Sequence, residues 1–133
     1  MSLGQAAGPV RIVIADDDPF FGRMVQAHLS RRPEFEVVGL ASDGREAIAL
    51  TEELEPDLVL LDVSMPVLDG IAAARIIRAG ASPPVIVLVT GADGATDRRA
   101  CEAGAAAYLR KTDDVVPLMD VVLTMSQLGL AAR

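Results

Sequence analysis

Short apolar runs alternate five times with stretches in which apolar residues recur at helical spacing, from Val10 to about Leu128. A chain that switches repeatedly between these two patterns reads as strands joined by crossover helices, and therefore as a parallel sheet. The runs are Val10–Ala15, Phe35–Leu40, Leu58–Asp62, Val85–Val89 and Ala107–Leu109, the fourth being the most strongly β-branched. A first helix is predicted from Asp18-Pro19, where an Asp N-cap precedes a Pro at the first helical position. It carries Phe20, Met24, Val25, Ala27 and Leu29 to about Arg31, before Pro33. The second opens at Ser42–Glu46, turns Ala47, Ile48 and Leu50 inward and ends near Leu54; the third starts at Gly70, carries Ile71, Ala74, Ile76 and Ile77, and gives out at Gly80. A weakly amphipathic helix, expected to be the least stable, spans roughly Ala95–Ala103. The last runs from about Asp114 to Leu128, with an apolar face of Val115, Val116, Leu118, Met119, Val122 and Leu123 that is assigned mostly to the core. Five strands with right-handed crossovers give a doubly wound α/β fold, strand order 2-1-3-4-5, with helices on both faces.

At 133 residues the chain is long enough for one domain with its own core. Half of it is apolar, yet aromatics are scarce and Trp is absent, so the core has to be built from Val, Ile, Leu, Ala and Met. That suits helix-on-sheet layers better than an aromatic-filled barrel. A formal charge of −7 argues against direct binding to nucleic acid or an anionic membrane, since phosphate contacts need a basic face. The lone Cys101 cannot form an intramolecular disulfide and fits a reducing compartment; Arg98 and Arg99 beside it do not outweigh a structural role. With no stretch of membrane-spanning length and no signal-peptide pattern, the expected location is the cytoplasm. Residues 1–8 read as a disordered lead or expression leader, 9–129 as the folded domain and 130–133 as a tail or the start of a linker.

The candidate chemistry lies at the strand ends. Asp62 closes the apolar run Leu58-Val59-Leu60-Leu61; Asp16, Asp17 and Asp18 follow the first run, Thr90 the fourth and Lys111 the fifth. In the expected strand order the first and third strands are neighbours at the switch point, which brings Asp16, Asp17 and Asp62 into one crevice at the carboxyl edge. Packed carboxylates repel unless a cation intervenes, and hard oxygen ligands that leave room for water suit Mg²⁺ (or Mn²⁺) better than zinc or copper. With that cation present Asp62 could attack a phosphoryl group to give an aspartyl phosphate, Lys111 supplying a cation and Thr90 a hydroxyl to its oxygens. Taken singly, each residue has a plainer reading: a solvated turn or helix cap for the aspartates, an ordinary strand or post-strand residue for Thr90 and Lys111. Their joint placement reverses the balance. His28, mid-helix and without acidic partners, reads as an ordinary helix residue.

These residues resemble the receiver domain of bacterial two-component response regulators, in particular receivers of the LuxR/NarL type, and the resemblance extends from Val10 to Leu128. Ile14-Ala15-Asp16-Asp17 is similar to the family's acidic pair, Leu61–Gly70 to its phosphoacceptor strand and loop, Val89-Thr90-Gly91 to its switch hydroxyl, and Tyr108-Leu109-Arg110-Lys111 to its switch aromatic and lysine. The resemblance implies that Asp62 takes a phosphoryl group from a phosphohistidine on a sensor histidine kinase. It implies Mg²⁺ held by Asp17 and Asp62, by Asp16 directly or through water, and by the backbone carbonyl of Ser64, with Asp18 left as the helix cap. Thr90 and Lys111 would hold the phosphoryl oxygens; Thr90 would then move and Tyr108 turn into the space it vacates. Small residues Ser64 and Ala92 flank the path of incoming water and would tune the lifetime of the phosphorylated state. Such a domain is a switch more than an enzyme, catalysing only its own phosphorylation and dephosphorylation. A homodimer formed on phosphorylation stays among the candidate partners. The expected output is transcription through a DNA-binding domain outside these residues, with a stand-alone receiver acting by protein–protein contact as the alternative. Lys111 is followed by Thr112 where the family often has Pro. A haloacid-dehalogenase-type phosphatase would need an Asp where Ser64 stands; a flavodoxin-like nucleotide or flavin site would not begin with three carboxylates; and a degenerate receiver would not keep Asp17, Asp62, Thr90 and Lys111 together.

Overall fold

The computed structural model describes residues 8–91, 102–111 and 116–131. Among them, β1 (Val10–Ala15), β2 (Phe35–Ala41), β3 (Leu58–Asp62), β4 (Val85–Thr90) and β5 (Ala107–Arg110) form one five-stranded sheet in the order β2-β1-β3-β4-β5, every pairing parallel. This is the predicted order. The helices are α1 (Pro19–Ser30), α2 (Gly44–Leu54), α3 (Gly70–Arg78) and α4 (Val116–Ala131), so the last runs past the expected end at Leu128. Ala92, Cys101, most of the helix expected over 95–103, the expected start of the last helix at Asp114, and residues 1–7 lie outside the described residues.

Alternation along the strands divides the core into two layers. Val13, Val59, Leu61, Ile86 and Leu88 face one way and pack with Ala47 of α2 and with Ile71, Ala74 and Ile77 of α3. Ile12, Ile14, Leu58, Leu60, Val87 and Val89 face the other way and pack with Val25 and Leu29 of α1 and with Leu118, Met119 and Val122 of α4. All five residues of β3 are buried because both of its faces are covered, which is why its sequence is continuously apolar instead of alternating. Two apolar helix positions stay open to solvent. Ile76 is 51% exposed and Val116 58% exposed. At about 100° per residue, each lies at the edge of its helix's buried face, Ile76 about 60° around from the buried Ala73 and Val116 about 60° from the buried Met119. No helix among the described residues is long and apolar enough to cross a membrane.

Local chemistry starts the helices where the sequence implied. Asp18 Oδ1 accepts from the Phe20 N–H (3.0 Å), Asp43 Oδ1 from the Glu46 N–H (2.8 Å) and Asp69 Oδ1 from the Ala72 N–H (2.8 Å). The β3–α3 connection is tight. The Gly70 N–H donates to the Val63 carbonyl at 2.9 Å, and a Cβ on Gly70 would lie 2.0 Å from the backbone oxygen of Asp62, so only glycine fits against the end of β3. Between them the Leu68 N–H donates to the Pro66 carbonyl (2.7 Å) across Val67, whose φ of 69° makes this the rare form of γ-turn.

Candidate functional site

The buried middle strands end in carboxylates. Asp62, the last residue of β3, is only 4% exposed, and Asp16, directly after β1, is 7% exposed; Asp17 beside it is open to solvent. Oxygens of Asp16, Asp17 and Asp62 lie within 4.8 Å of one another, as the adjacency of β1 and β3 required. Lys111, just beyond β5, bridges two of them, with Nζ 2.8 Å from Asp16 Oδ2 and 3.4 Å from Asp62 Oδ2. Each buried carboxylate gives its other oxygen to the backbone. Asp16 Oδ1 accepts from the Asp18 N–H at 2.8 Å, and Asp62 Oδ1 from the Ser64 N–H at a long 3.4 Å. Asp18 therefore acts twice, its side chain capping α1 and its amide orienting Asp16.

The electrostatics follow from this crowding. Burial, and then the charge of Asp16, push the Asp62 carboxyl from the ordinary 3.8 up to about 7, against the opposing pull of Lys111 and the Ser64 amide. Burial alone would lower the Lys111 ammonium, but its hydrogen bond to Asp16 and the charges of Asp62 and Asp16 outweigh that and hold it above its usual 10.5. Three carboxylates face one ammonium, so the cluster carries an excess of negative charge. Its donor set fits a hard divalent cation. Asp16, Asp17 and Asp62 would each offer it a carboxylate oxygen, and the solvent-exposed side of Asp17 leaves room for water on the ion. Such a cluster can present one carboxylate oxygen to an electrophile while cations screen the charge around it.

Thr90 ends β4 fully buried, and its carbonyl accepts from the Lys111 N–H at 2.8 Å. Tyr108 pairs with Leu88 and packs half-buried against the α2/α3 layer; by strand alternation Thr90 and Tyr108 share that sheet face. Ser64 is exposed beside Asp62. Ala92 lies outside the described residues. His28 is engaged within α1 through Nδ1 and the Met24 carbonyl, 2.9 Å apart. Two participants are absent from the sequence reading: the Asp18 amide, and Phe21, whose ring centroid lies 4.6 Å from Lys111 Nζ. Phe21 is not among the apolar positions read for the first helix, and nothing in its local sequence points to a lysine ninety residues away.

Comparison with known proteins agrees with this arrangement. The family model for the response regulator receiver domain matches residues 12–123. The transcriptional regulatory protein PdtaR of Mycobacterium tuberculosis is 40% identical over 122 residues, covering 90% of this chain and 59% of that protein. LiaR of Bacillus subtilis, also a transcriptional regulatory protein, is 36% identical over 119 residues, covering 89% and 56%. The chain thus spans less than two thirds of the length of these curated relatives. The solved signal receiver domain of NarL from Mycobacterium tuberculosis superposes with a TM-score of 0.85 at 34% identity, over 90% of this chain and 98% of that one. Sheet order, acidic strand ends and relatives agree, and the chain belongs to the response regulator receiver domains of two-component signalling.

Proposed function

We propose that Asp62 is the phosphoacceptor, taking a phosphoryl group from a phosphohistidine of a sensor histidine kinase. The observation that carries this reading is the buried carboxylate of Asp62 among Asp16, Asp17 and Lys111. A carboxylate oxygen attacks phosphorus, the phosphorus–nitrogen bond breaks with its electrons leaving on the imidazole, and an aspartyl phosphate results. Asp16, Asp17 and Asp62, with the Ser64 backbone carbonyl, would hold Mg²⁺ or Mn²⁺, which when bound offsets the charge that grows on the transferring oxygens. Lys111, already paired to Asp62, turns one donor to a phosphoryl oxygen, and the Thr90 hydroxyl takes another.

Loading would then bias a two-state element. Thr90 moves toward the phosphoryl group and Tyr108, on the same face, turns into the space behind it. Ser64 and Ala92 tune how fast water removes the group. The domain's own chemistry is limited to gaining and losing this phosphoryl group, and it works in the cytoplasm. Control of transcription is the output supported by the names of PdtaR and LiaR, through a DNA-binding domain outside these residues; a second copy of this chain, joined on phosphorylation, is among its partners. The test is intact-protein mass spectrometry after incubation with Mg²⁺ and a small acyl phosphate. One phosphoryl adduct is expected in the wild type and none in Asp62→Asn; an adduct that persists in the variant, or no beryllofluoride binding by the wild type, overturns the assignment.

A further inference from the structure

We propose that Phe21 is a positioning residue for this site: its ring face holds the Lys111 ammonium over Asp16 and Asp62 and thereby sets how readily that ammonium takes a phosphoryl oxygen. The kinetic part rests on the reading of Asp62 as phosphoacceptor; the contact does not.

A lysine ammonium is a compact charge with three donors on a flexible stem, and it stays where its neighbours hold it. Here two neighbours are carboxylates, Asp16 Oδ2 at 2.8 Å and Asp62 Oδ2 at 3.4 Å. The third is the Phe21 ring, its centroid 4.6 Å from Nζ. An aromatic face attracts a cation through its quadrupole without adding the negative charge a third carboxylate would bring. That is the combination a phosphoryl-binding lysine needs, held in place by a contact weaker than an ion pair that does not compete with an incoming phosphoryl oxygen. Lys111 keeps 23% of its side chain exposed, so without the ring the ammonium has an open route to solvent.

The ring is itself fixed. Phe21 comes from the first turns of α1 and packs on the α1/α4 layer. The space between Phe21, Val25, Leu60, Leu118 and the two carboxylates is about 10 Å³. That is no more than about one water, so the ring has nowhere to recede and the inner wall of the site stays apolar. Phe21 is thus the link between the packing of two helices and the position of the catalytic cation.

The test separates ring electrostatics from ring volume. In the full chain Phe21 is replaced by 4-fluoro-, 3,4-difluoro- and 3,4,5-trifluorophenylalanine, which keep the shape and progressively weaken the quadrupole, and by Phe21→Leu and Phe21→Tyr. Two quantities are read: the rate of loading from a small acyl phosphate with Mg²⁺, and the NMR shifts of the Lys111 side chain, which a ring face moves upfield. We expect a stepwise fall in loading rate along the fluorinated series, reaching about three- to thirty-fold. The upfield shift is lost in Phe21→Leu and kept in Phe21→Tyr. Wild-type loading rates throughout the fluorinated series, or Lys111 shifts unchanged in Phe21→Leu, overturn the proposal. A wild-type chain that takes up no phosphoryl group overturns the acceptor assignment of Asp62 instead, and is told apart because the Lys111 shifts still report the ring.

Discussion

Asp62→Asn should stabilise the metal-free domain at neutral pH, although it removes the residue on which the site turns. Folding places the Asp62 carboxyl in a buried position beside Asp16 and raises it from 3.8 to about 7. A difference of about three units, at 1.36 kcal/mol each, bounds the effect near 4 kcal/mol. Asp17 is exposed and Lys111 partly so, and water at the mouth of the site screens the interaction to about 1–2 kcal/mol. Asparagine keeps an oxygen for the Ser64 amide, and Lys111 keeps Asp16 at 2.8 Å. For a domain of this size the gain corresponds to a rise in Tm of about 4–8 °C. The pH dependence has a definite sign. Below the unfolded value near 4, Asp62 is protonated in both states and costs nothing. Between about 4 and 7 the folded state holds a proton that the unfolded chain has lost, so wild-type stability from this group falls as pH rises and levels off above 7. Urea unfolding of both proteins in EDTA at pH 5, 6, 7 and 8 measures the gap. Saturating Mg²⁺ should close or invert it, because the ion binds the folded wild type and its three carboxylates. A variant no more stable than wild type at pH 7–8 in EDTA, or a gap that does not shrink toward pH 5, would refute the reasoning.

Gly70→Ala should cost about 3 kcal/mol or more, since its Cβ would sit 2.0 Å from the Asp62 carbonyl oxygen, a backbone atom that cannot swing aside; a loss under about 1 kcal/mol in urea would mean the connection relaxes easily. Val67→Gly should raise stability by about 0.5–1 kcal/mol, the relief of a β-branched residue at φ 69° exceeding the entropic cost of glycine, and an unchanged or lower unfolding midpoint would count against strain there. Asp18→Ala should lose about 1 kcal/mol with the α1 cap, while Asp18→Asn restores most of it; equal losses in the two variants would show that the charge and not the cap matters.

Most of the architecture was legible because it rests on local signals. Asp18-Pro19 and Ser42–Glu46 carry helix starts in their own side chains, and the five apolar runs became strands at nearly the expected bounds. What local signals leave open is helix phase, as at the exposed Ile76 and Val116, because an apolar residue in a helical stretch does not declare which side of the helix meets the sheet. The site was legible for a different reason. Parallel strand order converts positions distant in sequence into neighbours at one edge, so knowing that β1 lies beside β3 was enough to join Asp16 and Asp17 to Asp62.

By itself, then, the sequence determined the strands, most of the helices, the sheet order they imply and the set of residues at its carboxyl edge, all consequences of periodicity and of short-range capping chemistry. Only the tertiary structure decided how those residues engage one another. The double pairing of Lys111, the Asp18 amide on Asp16, the Phe21 ring against the ammonium and the fit of Gly70 under the Asp62 carbonyl depend on distances of a few ångströms between separate elements. Those distances are set by how helices seat on the sheet, a result of close packing over the whole core that no local stretch of sequence encodes.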